Sequence, residues 1–264
     1  MAISNAYSAK VLNLRAIMFR VMKGAAVVGC ALAAATAAIA AGNGGLHPMR
    51  ANAQSLTARN TVDDSDLSGS WEPWYGETSA AVVARYWQWE LSIPLGVSPL
   101  NDTTGANCGI NQKGPVWFLA APGGGTLSTE CTLPAGKALL SGLYDLYDDY
   151  PCPDPTFAPK PPQSLDAFLQ NDAVQYIAPF VSGSASLDGK PVTVRRVKSP
   201  LFEFTGAISL AAGDPCITGS PQLAVADGYY VFVDPLSPGR HVLRLQAVDT
   251  ANNVTDVTVT LVAK

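Results

Sequence analysis

The sequence predicts a mainly β protein: an antiparallel β-sandwich with one or two short helices, following a cleavable signal peptide. Three observations lead to this prediction. The N-terminus has a basic stretch followed by an apolar one, two later segments have helical spacing, and the second half consists of short apolar runs separated by turn residues. Hydrophobic residues make up 48% of the 264 residues, which is enough to form a core.

The first 41 residues have the three parts of a secretory signal. Residues 1–23 contain four basic side chains and no acidic one, residues 24–41 are apolar and rich in alanine, and Ala38-Ile39-Ala40 offers small residues for cleavage. An uncleaved membrane anchor is one alternative, but alanine inserts weakly into a bilayer. Lipidation of Cys30 is another, because residues 27–30 fit a bacterial lipoprotein motif. We favour cleavage near Ala41, because Cys30 lies inside the apolar run rather than after it.

The charge of the mature chain excludes some partners. Cleavage removes four of the 17 basic groups and none of the 21 acidic ones, which leaves 13 against 21 and a net charge of −8. An acidic protein is repelled by nucleic acids and by anionic membrane surfaces. We therefore expect a secreted, periplasmic or cell-envelope protein with no nucleic-acid partner and no membrane span after cleavage. Lipidation of Cys30 would make it lipid-anchored instead.

The mature chain keeps four cysteines, and an even number in an exported protein indicates two disulfides. Four cysteines allow three connectivities. We favour Cys108–Cys131, because a hairpin-like turn lies between these residues, and Cys152–Cys216 then follows by elimination.

The remaining chain is predicted to form a flexible leader at 42–70 and a single sandwich domain at 71–264. The domain begins with a helix over Ser79–Leu91, which Thr78 or Ser79 can cap. A strand at 116–120 follows, a second at 126–133 returns after a glycine turn, and a third covers 137–144. Residues 151–163 contain six prolines and are expected to be a loop. Residues 164–177 have the pattern of a second short helix.

From Phe180 onward the pattern is almost wholly β. Asp188-Gly189 marks a hairpin turn, Asp227-Gly228 precedes an aromatic strand, and the run at 254–262 alternates apolar and polar residues. Short strands with frequent turn signals indicate a sandwich of the immunoglobulin-like or jelly-roll-like kind.

Several sequence phrases, taken in order, resemble an uncharacterised group of exported bacterial proteins over about residues 85–262. They are WQW at 87–89, SIP at 92–94, DTTG at 102–105, GPVWFLA at 114–120, CTLPAGK at 131–137, ADGY at 226–229 and PLSPGRH at 235–241. The C-terminal part also resembles bacterial immunoglobulin-like modules, in which a Leu-x-Pro-Gly-x-His turn joins the last strands. Neither resemblance implies catalytic residues.

Four acidic residues are candidates for chemistry because they lie within ten positions: Asp145, Asp148, Asp149 and Asp154. Clustered carboxylates can bind Ca²⁺, which takes six to eight oxygen ligands. A pair of them could also serve a glycosidase, if their separation in space allowed it. Because the spacing is not that of an EF-hand loop, we favour a solvated acidic loop. No other cofactor is expected.

Three aromatic residues form the candidate ligand-binding set: Trp71, Trp74 and Tyr75. Exposed aromatic rings in a polar segment can stack on sugars or anchor a protein partner, whereas buried ones pack in the core. His241 follows a Pro-Gly turn, and we interpret it as structural, since no G-x-S-x-G motif accompanies it.

These observations favour an exported, non-catalytic binding protein or cell-envelope protein whose partner is an unidentified protein or glycan. The alternative is a secreted, glycosidase-like hydrolase that uses paired carboxylates. The first predicts exposed aromatic residues, and the second predicts two facing carboxyl groups with at least one perturbed pKa.

Overall fold

The computed structural model describes residues 74–120 and 125–264. The predicted signal peptide, the leader and Trp71 lie outside the described residues. The helices are α1 (Ser79–Leu91) and α2 (Leu165–Ile177), with 3₁₀ helices at Leu95–Val97, Pro99–Asn101 and Ile208–Ala212. The strands are β1 (Val116–Leu119), β2 (Gly125–Leu133), β3 (Ala138–Tyr150), β4 (Phe180–Leu187), β5 (Lys190–Val192), β6 (Val194–Lys198), β7 (Phe202–Thr205), β8 (Pro221–Val233), β9 (Gly239–Asp249) and β10 (Val254–Ala263). The mainly β prediction is therefore confirmed.

Both predicted helices form, because each begins at a side chain that caps it. The Thr78 hydroxyl accepts a hydrogen bond from the Ala81 amide at 3.2 Å, and the Ser164 hydroxyl accepts one from the Ala167 amide at the same distance. These bonds satisfy amide groups that have no partner inside the helix. Among the described residues, no helix is long and apolar enough to cross a membrane.

The first sheet has the order β1-β3-β8-β6, and β7 also pairs with β8. The β1–β3 pair is parallel and the others are antiparallel. The side chain of Gln112 covers the outer edge of β1: its amide group donates to the Phe118 carbonyl at 2.7 Å and accepts from the Phe118 amide at 3.0 Å. Gln112 thus takes the place of a neighbouring strand.

The second sheet has the order β2-β10-β9-β4-β5, in which only the β2–β10 pair is parallel. The predicted return of 126–133 beside 116–120 is wrong, because β1 and β2 belong to different sheets. All four residues of β1 are buried, whereas β2 keeps a row of exposed polar residues. A strand with one polar face suits the second sheet, which has one face in solvent.

The core has a sandwich layer and a helical layer. Leucine and valine side chains of both sheets fill the space between them, including Leu139, Val231, Leu245 and Leu261. Residues of α1 pack on the opposite face of the first sheet. Helix α2 packs with Phe157 and with Val225 of β8. The two predicted disulfides are confirmed: Cys108–Cys131 and Cys152–Cys216.

Strand β3 corrects the prediction of a solvated acidic loop. It continues to Tyr150, so Asp145, Asp148 and Asp149 lie in a paired strand, and the latter two are buried. Residue 145 lies opposite Gly228, which is inside β8 and not in a turn before it. Asp and Gly favour turns through local conformational preference. Here the pairing of two long strands outweighs that preference, so both segments are extended.

Candidate functional site

A tight turn immediately before α1 presents the predicted aromatic residues. The Trp74 amide donates to the Glu77 carbonyl at 2.8 Å, and the Glu77 amide donates to the Trp74 carbonyl at 3.3 Å. Between them Tyr75 has a φ of 57° and Gly76 a φ of 85°. A bulky residue in this left-handed region is uncommon and costs free energy. The turn leaves the Tyr75 side chain 41% exposed.

An ion pair attaches this turn to α1. The guanidinium of Arg85 contacts both carboxylate oxygens of Glu77 at 3.2 Å. The same guanidinium lies 5.5 Å from the centre of the Phe118 ring, which restricts it further. The turn is thereby fixed to the helix and, through Phe118, to the first sheet.

Three rings form what we call the aromatic patch: Trp74, Tyr75 and Phe232. The Trp74 ring meets the Tyr75 ring at 5.1 Å and 77°, and the Phe232 ring at 5.0 Å and 80°. Such edge-to-face contacts are the favoured geometry for aromatic pairs. The patch combines one exposed ring with two half-buried ones.

Charged groups of both signs border the aromatic patch. The Arg195 guanidinium lies 5.7 Å from the centre of the Phe232 ring. Asp234 is exposed just beyond the end of β8. Partial burial, and secondarily the negative charge of Asp234, raises the pKa of Tyr75. The patch thus offers apolar ring surface together with a cation and a carboxylate.

Sequence reasoning found only part of this arrangement. It selected Trp74 and Tyr75, which the structure brings together, but missed Phe232, Arg195 and Asp234. The alternation of β8 places Phe232 on the α1 side of the sheet, and this assignment requires the strand register. No local signal in the sequence connects residue 75 with residue 232.

The four acidic candidates do not converge on one site. Asp154 is half-buried in a turn, and its Oδ1 atom accepts hydrogen bonds from the Thr156 amide and hydroxyl, which lower the pKa of Asp154. Asp149 is fully buried, and the side-chain amide of Gln222 lies 3.4 Å from its Oδ2 atom. Among the described residues, no group of three or more possible metal ligands includes Asp145, Asp148 or Asp154.

One group of possible metal ligands occurs among the described residues: Asp149, Asp214 and Cys216, whose donor atoms lie within 4.8 Å of one another. The sulfur of Cys216 is bonded to Cys152, so it is not a thiolate. Asp214 accepts a hydrogen bond from the Tyr147 hydroxyl at 2.8 Å and another from the Cys216 amide at 3.0 Å. These three residues are therefore too few as ligands for Ca²⁺.

One of the four candidates, Asp145, shares a raised pKa with a carboxyl group that the sequence analysis did not select, Glu90. Burial raises the pKa of Glu90 on α1 to about 7. Burial, and secondarily the charge of Glu90, raises the pKa of Asp145 on β3 to about 7. Glu90 follows Tyr86 by four residues and so shares its buried helix face. That spacing is the signal by which the sequence could have revealed this carboxyl.

His241 lies between an acid and a serine, as in a catalytic triad. Its Nδ1 atom is 2.7 Å from Asp188 Oδ2, and its Nε2 atom is 3.4 Å from Ser237 Oγ. However, Nε2 is closer to the Ser237 carbonyl oxygen, at 3.0 Å. A contact with a carbonyl requires a hydrogen on Nε2, so this nitrogen cannot accept the serine proton as a catalytic base would. The arrangement connects the β4–β5 turn to the start of β9.

The fold and these sites define a disulfide-linked β-sandwich with a helix packed on one sheet and an aromatic patch at the start of that helix. No family model matches the chain, and neither a curated protein nor a solved structure is significantly similar to it.

Proposed function

We propose that the chain is an exported, non-catalytic β-sandwich protein that binds a glycan or a protein partner through the aromatic patch, in the extracellular space, the periplasm or the cell envelope. The observation that carries this proposal is the turn that holds Tyr75 outward beside Trp74. The two disulfides support export, because such bonds persist in oxidising compartments.

A glycan fits the chemistry of the patch better than a protein does. Aromatic rings offer flat apolar surface to the C–H groups of a sugar ring, and a few well-placed polar groups then fix its orientation. Asp234 can accept hydrogen bonds from sugar hydroxyls, and Arg195 can donate them. The ion pair between Glu77 and Arg85 reduces the entropy lost on binding, because the turn is already ordered.

A hydrolase that uses paired carboxylates is the alternative, and the raised pKa values of Glu90 and Asp145 favour it. Glu90 is only 2% exposed, and the adjoining Tyr86 and Tyr230 side chains are fully buried. A sugar could reach these carboxyls only after α1 had moved. The patch, in contrast, is accessible in the folded protein.

Binding can be measured by co-sedimentation with insoluble peptidoglycan, chitin and cellulose. Tyr75→Ala should weaken binding to the retained polymer about tenfold, since a central aromatic anchor contributes on the order of 1–2 kcal/mol. Tyr75→Phe should retain most of the binding. Val181→Ala is the matched control, because Val181 is 58% exposed on β4 of the other sheet.

Two results would contradict the proposal. If a polymer is retained equally by the native chain and by Tyr75→Ala, the patch is not the binding site. If soluble sugars are released and Glu90→Gln abolishes the release, the hydrolase alternative is correct. Retention of an envelope protein but of no polymer would identify a protein partner at the patch, provided that Tyr75→Ala abolishes it.

A further inference from the structure

Two carboxyl groups lie between α1 and the first sheet with oxygen atoms that no hydrogen bond satisfies. Glu90 Oε1 accepts a hydrogen bond from the Ser98 hydroxyl at 2.7 Å, and Glu90 Oε2 is buried without a partner of good geometry. Ser98 and the Leu100 backbone lower the pKa of Glu90, but burial raises it by more. On β3, Asp145 Oδ2 is likewise buried without a partner. A carboxylate in such a place has lost water and gained little in exchange.

The first sheet leaves specific room for the Asp145 side chain. β3 has a bulge between Gly142 and Tyr144, immediately before this residue. A Cβ atom at Gly142 would overlap the Asp145 carboxylate, and one at Gly228 would overlap the Asp145 backbone. Both glycines lie inside strands, where glycine is usually unfavourable. They are required here because a larger residue would displace the acid.

The groups that face this pair are uncharged. Tyr86 on α1 and Tyr230 on β8 are fully buried, and the Trp87 indole donates to the Tyr230 hydroxyl at 2.9 Å. The Tyr86 hydroxyl is hydrogen-bonded to the Gly142 backbone. On β3, the Tyr147 hydroxyl donates a hydrogen bond to Asp214 at 2.8 Å.

The cations on the neighbouring elements are engaged elsewhere. Arg85 of α1 pairs with Glu77, and Arg196 and Lys198 of β6 both pair with Asp227 of β8. Arg195 of β6 lies over the Phe232 ring, and on β7 Glu203 is exposed. Among the described residues, no ion pair involves Glu90 or Asp145.

We propose that Glu90 and Asp145 retain protons in the folded protein at mildly acidic pH, and that their loss to solvent loosens α1 from the first sheet. A buried carboxyl group without a cation is stable only when it is neutral. Ionisation of both would place two like charges in a desolvated interface.

Loosening of α1 from the first sheet would also separate the rings of the aromatic patch. The turn that carries Tyr75 leads directly into α1, and the Glu77–Arg85 ion pair attaches it to that helix. A displaced helix therefore carries the turn away from Phe232. This consequence for binding rests on the proposed function, whereas the protonation of the pair does not.

The direction of the pH effect follows from the raised pKa values of both groups. Each pKa rises from an ordinary 4.5 or 3.8 to about 7 in the folded protein. The contribution to stability is therefore complete below the unfolded values and is lost as the pH rises through about 7. We expect the melting temperature to fall by several degrees between about pH 6 and about pH 8.

Infrared spectroscopy and thermal unfolding together test the protonation. The native protein at about pH 6 should show the carbonyl stretching band of a protonated carboxyl group, because ordinary carboxyl groups are ionised there. Glu90→Gln and Asp145→Asn should each weaken this band. The double variant should show a smaller fall in melting temperature with pH than the native protein, and the fall that remains is the one expected from the raised pKa of His241. Asp166→Asn is the matched control, because Asp166 is exposed on α2 and its loss should leave both signals unchanged.

Several outcomes would overturn the inference. One is a native protein without the band at about pH 6, a measurement that does not depend on whether any variant folds. Another is a double variant with an unchanged pH dependence. A rise in melting temperature specific to Ca²⁺, lost in both single variants, would assign a metal ion to the pair instead. If no ligand binds at any pH but the band is present, the proposed function fails and this inference stands.

Discussion

The side chain of His241 contacts two acceptors, Asp188 and the Ser237 carbonyl, and these contacts determine its charge. Hydrogen bonds to both acceptors raise the pKa of His241, and the bond from His241 is the largest cause that lowers the pKa of Asp188. Because the pKa of His241 is raised, this residue contributes stability that is complete below its unfolded pKa of 6.5 and is lost as the pH rises through its folded pKa. Because the pKa of Asp188 is lowered, this residue contributes stability that is lost as the pH falls through its folded pKa.

We expect an NMR titration to give His241 a pKa above 6.5. Asp188→Asn should lower it towards the ordinary value, because the charged acceptor is gone. Ser237→Ala is the control: the carbonyl bond remains, so the pKa should stay raised. A titration at or below 6.5 in the native protein would contradict the doubly protonated ring and reopen the catalytic interpretation.

Single residues also show what the sequence could not reveal. Asp145 lies in a segment rich in acidic residues that suggests a solvated loop, and only the pairing of β3 and the packing of α1 place it where burial and the charge of Glu90 raise its pKa. The exposure of Tyr75 was predictable from its polar surroundings. Its contact with Trp74 was predictable from adjacency, but the contact between Trp74 and Phe232 was not.

At the scale of elements, the two helix caps permit a matched comparison. Thr78→Ala and Ser164→Ala each remove one cap hydrogen bond, so each should lower the free energy of unfolding by about 1 kcal/mol. Only Thr78 adjoins the turn that carries Tyr75. Hydrogen exchange should therefore become faster at 74–82 in Thr78→Ala, but only at the start of α2 in Ser164→Ala.

Equal exchange at 74–82 in both variants would show that the turn is not held by the cap. If a glycan that binds the patch is identified, Thr78→Ala should weaken its binding, and Ser164→Ala should not. The comparison separates a local effect on the patch from a general loss of stability.

The elements were predicted from the sequence with uneven success, for a physical reason. Both helices were found because their caps and apolar faces lie within a few residues of each other. The Asp188-Gly189 hairpin is also local, and residues 188 and 189 have the positive φ values that such a turn needs. Strand pairing is not local. The extension of β3 to Tyr150 and the place of β2 in the second sheet depend on partners far along the chain. Tyr150 pairs with Leu223, 73 residues away, and Gly125 pairs with Thr255, 130 residues away.

At the scale of the whole molecule, we expect the two disulfides to contribute different amounts to the free energy of unfolding, because they close loops of different length. Cys108 and Cys131 are 23 residues apart, and Cys152 and Cys216 are 64 apart. Chain entropy then assigns about 3 kcal/mol to the first bond and about 4 kcal/mol to the second. The longer loop is the larger constraint on the unfolded chain.

Denaturant unfolding of two double variants measures these contributions. Cys152→Ala with Cys216→Ala should lower the free energy of unfolding by more than Cys108→Ala with Cys131→Ala. The oxidised native protein should unfold in a single transition if the domain is one cooperative unit. Two separate transitions, or peptide mapping that joins Cys108 to Cys216, would contradict the single-domain prediction.

The pairing of β2 with β10 also determines when the second sheet can form during synthesis. Gly125 of β2 meets Thr255 of β10, and β10 itself lies between β2 and β9. During synthesis, β2 leaves the ribosome long before the strand that will satisfy its backbone, so the second sheet cannot close until residues 254–263 have emerged. Proteins whose contacts join residues far apart in the sequence fold slowly. If the chain is exported as proposed, this delay keeps the strands of the second sheet extended until synthesis is nearly complete, which suits an export channel that threads extended polypeptide.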